Sequence, residues 1–159
     1  MQKLTAWKGA VQVWRARRYA SLLLEAVVPP MRDNGFGLEA HGQNMLARFN
    51  DVGELVGFAV RDFGGVMIDL DMYKRTTGHA IDLKEGSTIV ASSLDEVYIK
   101  VFHTTIQNHL HRLIRALDLH HDGSGWEIVR RHVWRYGAPP SADSDGAAVC
   151  ANHGSDWRC

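Results

Sequence analysis

The sequence predicts an α+β domain: a small antiparallel sheet packed with a long N-terminal helix and with C-terminal helices. Three observations lead there. Apolar residues recur at helical spacing near the start, two β-like runs flank a short turn-forming stretch in the middle, and a stripe of apolar residues in steps of three and four follows Ser93. The chain has 159 residues, a length that suits one core rather than two.

From Leu4, the apolar positions Trp7, Val11 and Trp14 keep helical spacing, and the pattern resumes at Leu22 and Ala26. Pro29 and Pro30 remove two backbone donors and are expected to stop the helix, which gives one long element over roughly residues 4–28. "RDNGFG" at 32–37 is a turn cluster. "NMLARF" and "LVGFAVRDF", joined by "NDVGE", read as a hairpin, and "GVMIDLD" as a third strand. The polar, punctuated stretch "MYKRTTGHAIDLKEGSTIVASS" at 72–93 reads as a long surface loop. Ser93, with Glu96 three residues later, has the form of a capping box. The helix it opens carries Ile99, Phe102, Ile106, Leu110, Leu113 and Leu117 on one face, which is assigned to the core. "GSGWEIVRRHVWRYG" predicts a shorter helix with Ser124 as its cap and Gly137 as its stop. The folded region is thus 1–137. Residues 138–159, which include "SADSDGAAVCANHGSDWRC", are small, polar and aperiodic and are expected to form a disordered tail.

Composition excludes several function classes. Lys plus Arg and Asp plus Glu both number 18, so the formal net charge is zero and no global field attracts nucleic acid or an anionic membrane. The basic phrases "WRARRYA" and "RLIR" read as the wet sides of amphipathic helices. No apolar run approaches the roughly 20 residues of a membrane span, and Arg15, Arg17 and Arg18 interrupt the first apolar stretch in a way a secretory signal does not. The two cysteines, Cys150 and Cys159, make no disulfide framework, and a reducing cytoplasm is the expected location. Six of nine histidines fall between 103 and 132, in phrases such as "NHLHR" and "LHHD". His109 and His111 are two apart on a helix and point to different faces, so these histidines are read as solvated or helix-end residues. Trp7, Trp14, Phe102, Trp126 and Trp134 are read as packing residues.

The phrases that carry chemistry are "LEAHGQNMLARF" at 38–49 and "VRDFGG" at 60–65. A hairpin turning near 51–54 brings positions 41–44 beside 61–64. Asp62, the Asn44 carboxamide oxygen and Glu39 are hard oxygen ligands suited to Mg²⁺, whereas His41, Gln43 and Arg61 can donate hydrogen bonds or charge to phosphate oxygens. Gly42, Gly64 and Gly65 leave room for a ligand at the backbone. The plainer reading, a decorated turn with a surface contact between Arg61 and Asp62, stays open on spacing alone.

"GFGLEAHGQNMLARFNDVGELVGFAVRDFGG" closely resembles a stretch in the C-terminal half of the IucA/IucC family, the aerobactin-type siderophore synthetases that work without nonribosomal peptide synthetases. There a Glu-Ala-His-x-Gln-Asn phrase precedes an Arg-Asp by about twenty residues. "YASLLLEAVVPPMRDNG" is similar to the helix leading into that phrase, and the resemblance extends over roughly residues 15–136. It implies an ATP-dependent ligase that adenylates a carboxylate of citrate or a related acid, after which an amine or hydroxyl displaces AMP. It further implies that His41, Gln43 and Asn44 contact ATP phosphates and metal, that Asp62 holds Mg²⁺ with Asn44 and Glu39, and that His41 and Arg61 assist the chemistry. The implied partners are small carboxylate and amine substrates, together with a second copy of the chain or an N-terminal half. The family's His-Pro and Lys/Arg-bearing motif, which belongs to that half, is absent from this sequence.

Other readings compete. "HGQN" with "RDFGG" resembles kinase-like phosphotransferases, although the acid such enzymes place shortly before the Asn is missing. The family's C-terminal region is also grouped with FhuF-type ferric reductases, whose iron–sulfur cluster needs four ligands where this chain has two cysteines. The last is a non-catalytic remnant that binds a nucleotide without turning it over.

Overall fold

The computed structural model describes residues 2–137 apart from residue 85, with side chains described from Gly9 onward. It is an α+β arrangement in which the first helix runs along everything else. That helix, α1 (Gln2–Asn34), continues through Pro29 and Pro30 to Asn34, beyond the expected stop near residue 28. The two missing donors are tolerated because the last turns are anchored. Val27 and Val28 are buried, Arg32 donates to the Tyr136 carbonyl at 2.6 Å, and Gly35, at φ 63°, closes the end by donating to the Met31 carbonyl.

The strands make two separate two-stranded antiparallel sheets rather than one three-stranded sheet. β1 (Phe36–Gly37) pairs with β4 (Met67–Ile68). β2 (Met45–Phe49) and β3 (Leu55–Val60) form the expected hairpin, with Met45 opposite Val60 and a register shift between Arg48 and Phe49. The Arg61 amide donates to the Asn44 carbonyl at 3.1 Å, which carries the ladder one step past β3 and sets the two polar phrases side by side. Tyr19 of α1 meets Phe58 of β3 edge-on at 4.9 Å, which fixes the hairpin to the long helix.

The expected loop at 72–93 begins inside a helix, α2 (Leu70–Thr77). Asp69 accepts the Met72 amide as N-cap, and Gly78, at φ 74°, ends it. The chain then returns to make a single parallel bridge from Val90 to Ile68.

Ser93 caps α3 (Leu94–Val101) as expected, accepting the Glu96 amide, while Glu96 accepts the Ser92 amide at 2.8 Å. The helix then widens into a π-helix, Phe102–Leu110, before α4 (His111–Ala116). This widening overturns half of the expected core stripe. A π turn takes more residues than an α turn and shifts the phase of everything after it. Ile99 and Phe102 are 67% and 52% exposed, and the first half buries Val97 and Val101 instead. Within and beyond the π segment Leu110 and Ile114 are buried, and Ile106, Leu113 and Leu117 pack against the core.

α5 (Ser124–Gly137) packs against α1 through the Ser21 and Tyr136 hydroxyls, 3.0 Å apart. Its cap is Asp122, which accepts the Ser124 amide at 2.9 Å, rather than Ser124, whose buried hydroxyl has no hydrogen-bond partner among the described residues. The aromatic residues also divide differently from the expectation. Trp126 packs on the core and stacks with His111, whereas Trp14 is 64% exposed and Trp134 is exposed with Phe102. The side chain of Trp7 and the expected tail at 138–159 lie outside the described residues.

Candidate functional site

Leu38 and Ala40 are buried on either side of Glu39, so the strand-like alternation that anchors the segment presents this one carboxylate to the surface layer. Glu39 is held from three directions. Lys100 of α3 donates to Oε1 at 2.7 Å, the Asn44 amide reaches Oε2 at 3.4 Å, and Gly65 lies beneath the carboxylate. A Cβ at Gly65 would stand 1.9 Å from Oε2, so the second phrase needs glycine at that position to let the acid sit down on it.

Residues 41–44 form a tight turn closed by the Asn44 amide donating to the His41 carbonyl at 2.9 Å. Asn44 is buried, and its carboxamide nitrogen also donates to the Glu39 carbonyl at 3.2 Å. This side chain is therefore the pin that ties the turn to Glu39, with its Oδ1 left as an acceptor. The Gln43 amide donates to His41 Nδ1 at 3.3 Å, which puts the ring proton on Nε2, 3.7 Å from Glu39 Oε2. Gln43 itself is exposed. Arg61 and Asp62 are exposed at the end of β3, where Asp62 Oδ1 accepts the Gly64 amide at 2.8 Å in an Asx turn. Glu39, His41 and Asn44 thus meet directly and Arg61 joins them through its backbone, whereas the Asp62 side chain bonds the Gly64 amide and, among the described residues, makes no hydrogen bond or ion pair with Glu39, His41 or Asn44.

Two participants escaped the sequence reading. Lys100 stands in a helical run where nothing marks it as the partner of a residue 61 positions earlier. His109, read as a solvated or helix-end residue, is 7% exposed. Its Nδ1 donates to the Ala40 carbonyl at 2.8 Å, and Nε2 accepts from the Tyr19 hydroxyl at 2.8 Å. Burial holds the His109 pKa below its ordinary value near 6.5, against the Ala40 hydrogen bond and with the His41 charge pushing the same way as burial. Burial likewise raises the pKa of Tyr19, which keeps it a donor. The "NHLHR" phrase was the available signal, and the π segment is what turns His109 inward.

Next to this cluster is an open pocket of about 540 Å³ lined by His41, Gly42, Gln43, Asn108, His109 and Arg112. One wall is the 41–43 turn and the other is the π segment with the start of α4. An anion or polyol entering there meets an imidazole, a carboxamide and a guanidinium together.

The chain belongs to the family described as the ferric iron reductase FhuF-like transporter, whose model matches residues 15–150. Among curated proteins it is 46% identical over 120 residues to the NRPS-independent siderophore synthetase rfs of Rhizopus delemar, covering 75% of this chain and 19% of that protein. It is 33% identical over 131 residues to the D-ornithine–citrate ligase of Staphylococcus aureus, covering 82% of this chain and 19% of the relative. Staphyloferrin A synthase of the same organism is 35% identical over 99 residues, covering 61% of this chain and 16% of that protein. These relatives bear out the resemblance to the C-terminal portion of the IucA/IucC-type synthetases. The chain spans about a fifth of the length of the first two. No solved structure matches it.

The iron–sulfur cluster of the competing FhuF-type reading does not fit the donor set. A cluster takes four ligands, usually thiolates, and the chain has two cysteines, both outside the described residues. The motif region carries side-chain oxygens on Glu39, Asn44 and Asp62, and the Lys100 ammonium is paired with Glu39 at 2.7 Å. No helix among the described residues is long and apolar enough to cross a membrane.

Proposed function

We propose that this chain is the ATP- and Mg²⁺-binding portion of a siderophore synthetase-type ligase. In the reaction, a carboxylate oxygen of a citrate-like acid attacks the α-phosphorus of ATP and expels pyrophosphate. An amine or hydroxyl then attacks the acyl carbon, losing a proton as AMP departs. Asp62, Asn44 through Oδ1 and Glu39 are the ligands assigned to Mg²⁺. His41, Gln43 and Arg61 are assigned to the phosphates. When bound, the ion neutralises charge on the departing pyrophosphate, and the remaining work of these residues is positioning and electrostatic stabilisation.

The observation that carries this reading is the pinned Glu39–Lys100–Asn44 cluster at the edge of a pocket walled by His41, Gln43 and Arg112. The names of the relatives support a carboxylate ligase over a phosphotransferase. Since the chain spans about a fifth of those relatives, a second reading stands beside the first: binding of the nucleotide without turnover by this chain alone.

A thermal-shift titration with Mg²⁺·ATP tests the proposal. A ligand that binds the native state raises its stability by about 2.7 kcal/mol at a hundredfold excess over Kd. The expected result is a Mg²⁺-dependent rise in Tm that disappears in Gln43→Ala and Asp62→Ala, both exposed side chains whose loss leaves the fold intact. No rise in a cooperatively folding chain overturns it.

A further inference from the structure

We propose that Asp118, His120 and His121, in the loop between α4 and α5, bind a first-row divalent transition-metal ion of the Zn²⁺ class. Among the described residues these three bring His and carboxylate ligand atoms within 4.8 Å of one another. Asp118 Oδ1 lies 3.2 Å from His121 Nε2 and 4.0 Å from His120 Nδ1. Ligands held at about 2.0–2.2 Å from a tetrahedral Zn²⁺ stand roughly 3.3 Å apart, so the Asp118–His121 edge is already formed, and the His120 atom, within 4.8 Å of both, closes the other two by rotation of its ring.

Three further features point to an ion rather than to an ordinary ion pair. His120 Nδ1 is buried and has no hydrogen-bond partner among the described residues, a cost that a metal bond removes. The rings of His120 and His121 lie 3.8 Å apart, centroid to centroid. Asp118 also takes a left-handed conformation, φ 59°, the positive φ of a non-glycine residue among those described. Asp tolerates this conformation better than most residues, and it aims the carboxylate back toward the two rings.

The backbone around the cluster is set before any ion arrives. The Asp118 amide donates to the Arg115 carbonyl, the Leu119 amide to Ile114, and the Gly125 amide to Leu119. Asp118 and His121 are exposed, which leaves the remaining coordination position to water. Imidazole with one carboxylate suits Zn²⁺ and its neighbours over Mg²⁺ or Ca²⁺, so this site is chemically separate from the all-oxygen set proposed for Mg²⁺. Its role is a clip: the ion closes the 118–121 loop that links α4 to α5.

Calorimetric titration of ZnCl₂ into the chain, with Cys150→Ser and Cys159→Ser to remove competing thiols, tests the assignment. The expected result is one ion per chain, with affinity at least tenfold weaker in His121→Ala and in Asp118→Asn, and unchanged in His79→Ala. Zn²⁺ should also raise Tm in the parent chain and not in His121→Ala. Absence of one-to-one binding, or equal affinity in the parent and both site variants, overturns the proposal. His121 and Asp118 are exposed, so neither variant threatens folding.

Discussion

Glu39 shows how much of this protein's design is concentrated on one side chain. Its carboxylate rests on Gly65, accepts from Lys100 and faces Asn44. Gly65→Ala must therefore push the acid off its seat, at about 1–2 kcal/mol. The same substitution made on a Glu39→Ala background should cost much less, because the obstructing atoms are gone. A double-mutant cycle in urea measures this coupling. Lys100→Met leaves Glu39 half-buried without its cation and should cost about 1–2 kcal/mol. His109 sets a pH dependence. Its folded-state pKa is depressed by burial, so below an ordinary value near 6.5 the unfolded chain takes up a proton that the folded chain refuses. Stability contributed by neutral His109 is complete above that pH and falls as pH drops from about 6.5 toward the folded pKa. Tm measured between pH 7.5 and 5.5 should fall less steeply in His109→Asn than in the parent chain.

The elements were legible where a local signal decides them and illegible where packing does. The hairpin, the Ser93 cap and the C-terminal helix follow from alternation, capping chemistry and helical period, and they stand where those signals put them. Pro29 and Pro30 misled because anchoring by Arg32 and Tyr136 outweighs two lost donors. Asp122 rather than Ser124 caps α5, a choice that the sequence "DGS" leaves balanced. The π segment was the larger surprise. No residue in "FHTTIQNHL" announces it, and its phase shift leaves Ile99 and Phe102 out of line with the buried Leu110 and Ile114 while His109 and Thr105 turn inward. Thr105 is wholly buried with an unpartnered hydroxyl among the described residues. Thr105→Val keeps the shape and removes that cost, and should stabilise the chain by about 1 kcal/mol in chemical denaturation. A loss of stability would show that the hydroxyl is satisfied in solution.

Across the whole molecule, α1 acts as the spine. It holds the hairpin through Tyr19 and Phe58, α5 through Ser21 and Tyr136, and the buried histidine through the Tyr19 hydroxyl. This is how residues from 41 to 116 come to line one pocket, with Tyr19 holding its buried histidine from behind. The candidate site was legible as a set of residue types because two polar phrases stood a hairpin apart. Its partners were not, since Lys100 and Arg112 come from a helix whose path no spacing rule connects to residue 39. The histidines of "LHHD" were visible but read as solvated, because their convergence on Asp118 depends on a left-handed residue rather than on helical spacing. The proposed metal–nucleotide site at 39–44 with Asp62 is put to the test by isothermal titration of ATP into the chain, with and without Mg²⁺. Binding should be saturable, need Mg²⁺ and weaken at least tenfold in Gln43→Ala and in Asp62→Ala. Binding indifferent to Mg²⁺ and to both substitutions, or no binding by the folded chain, would contradict it.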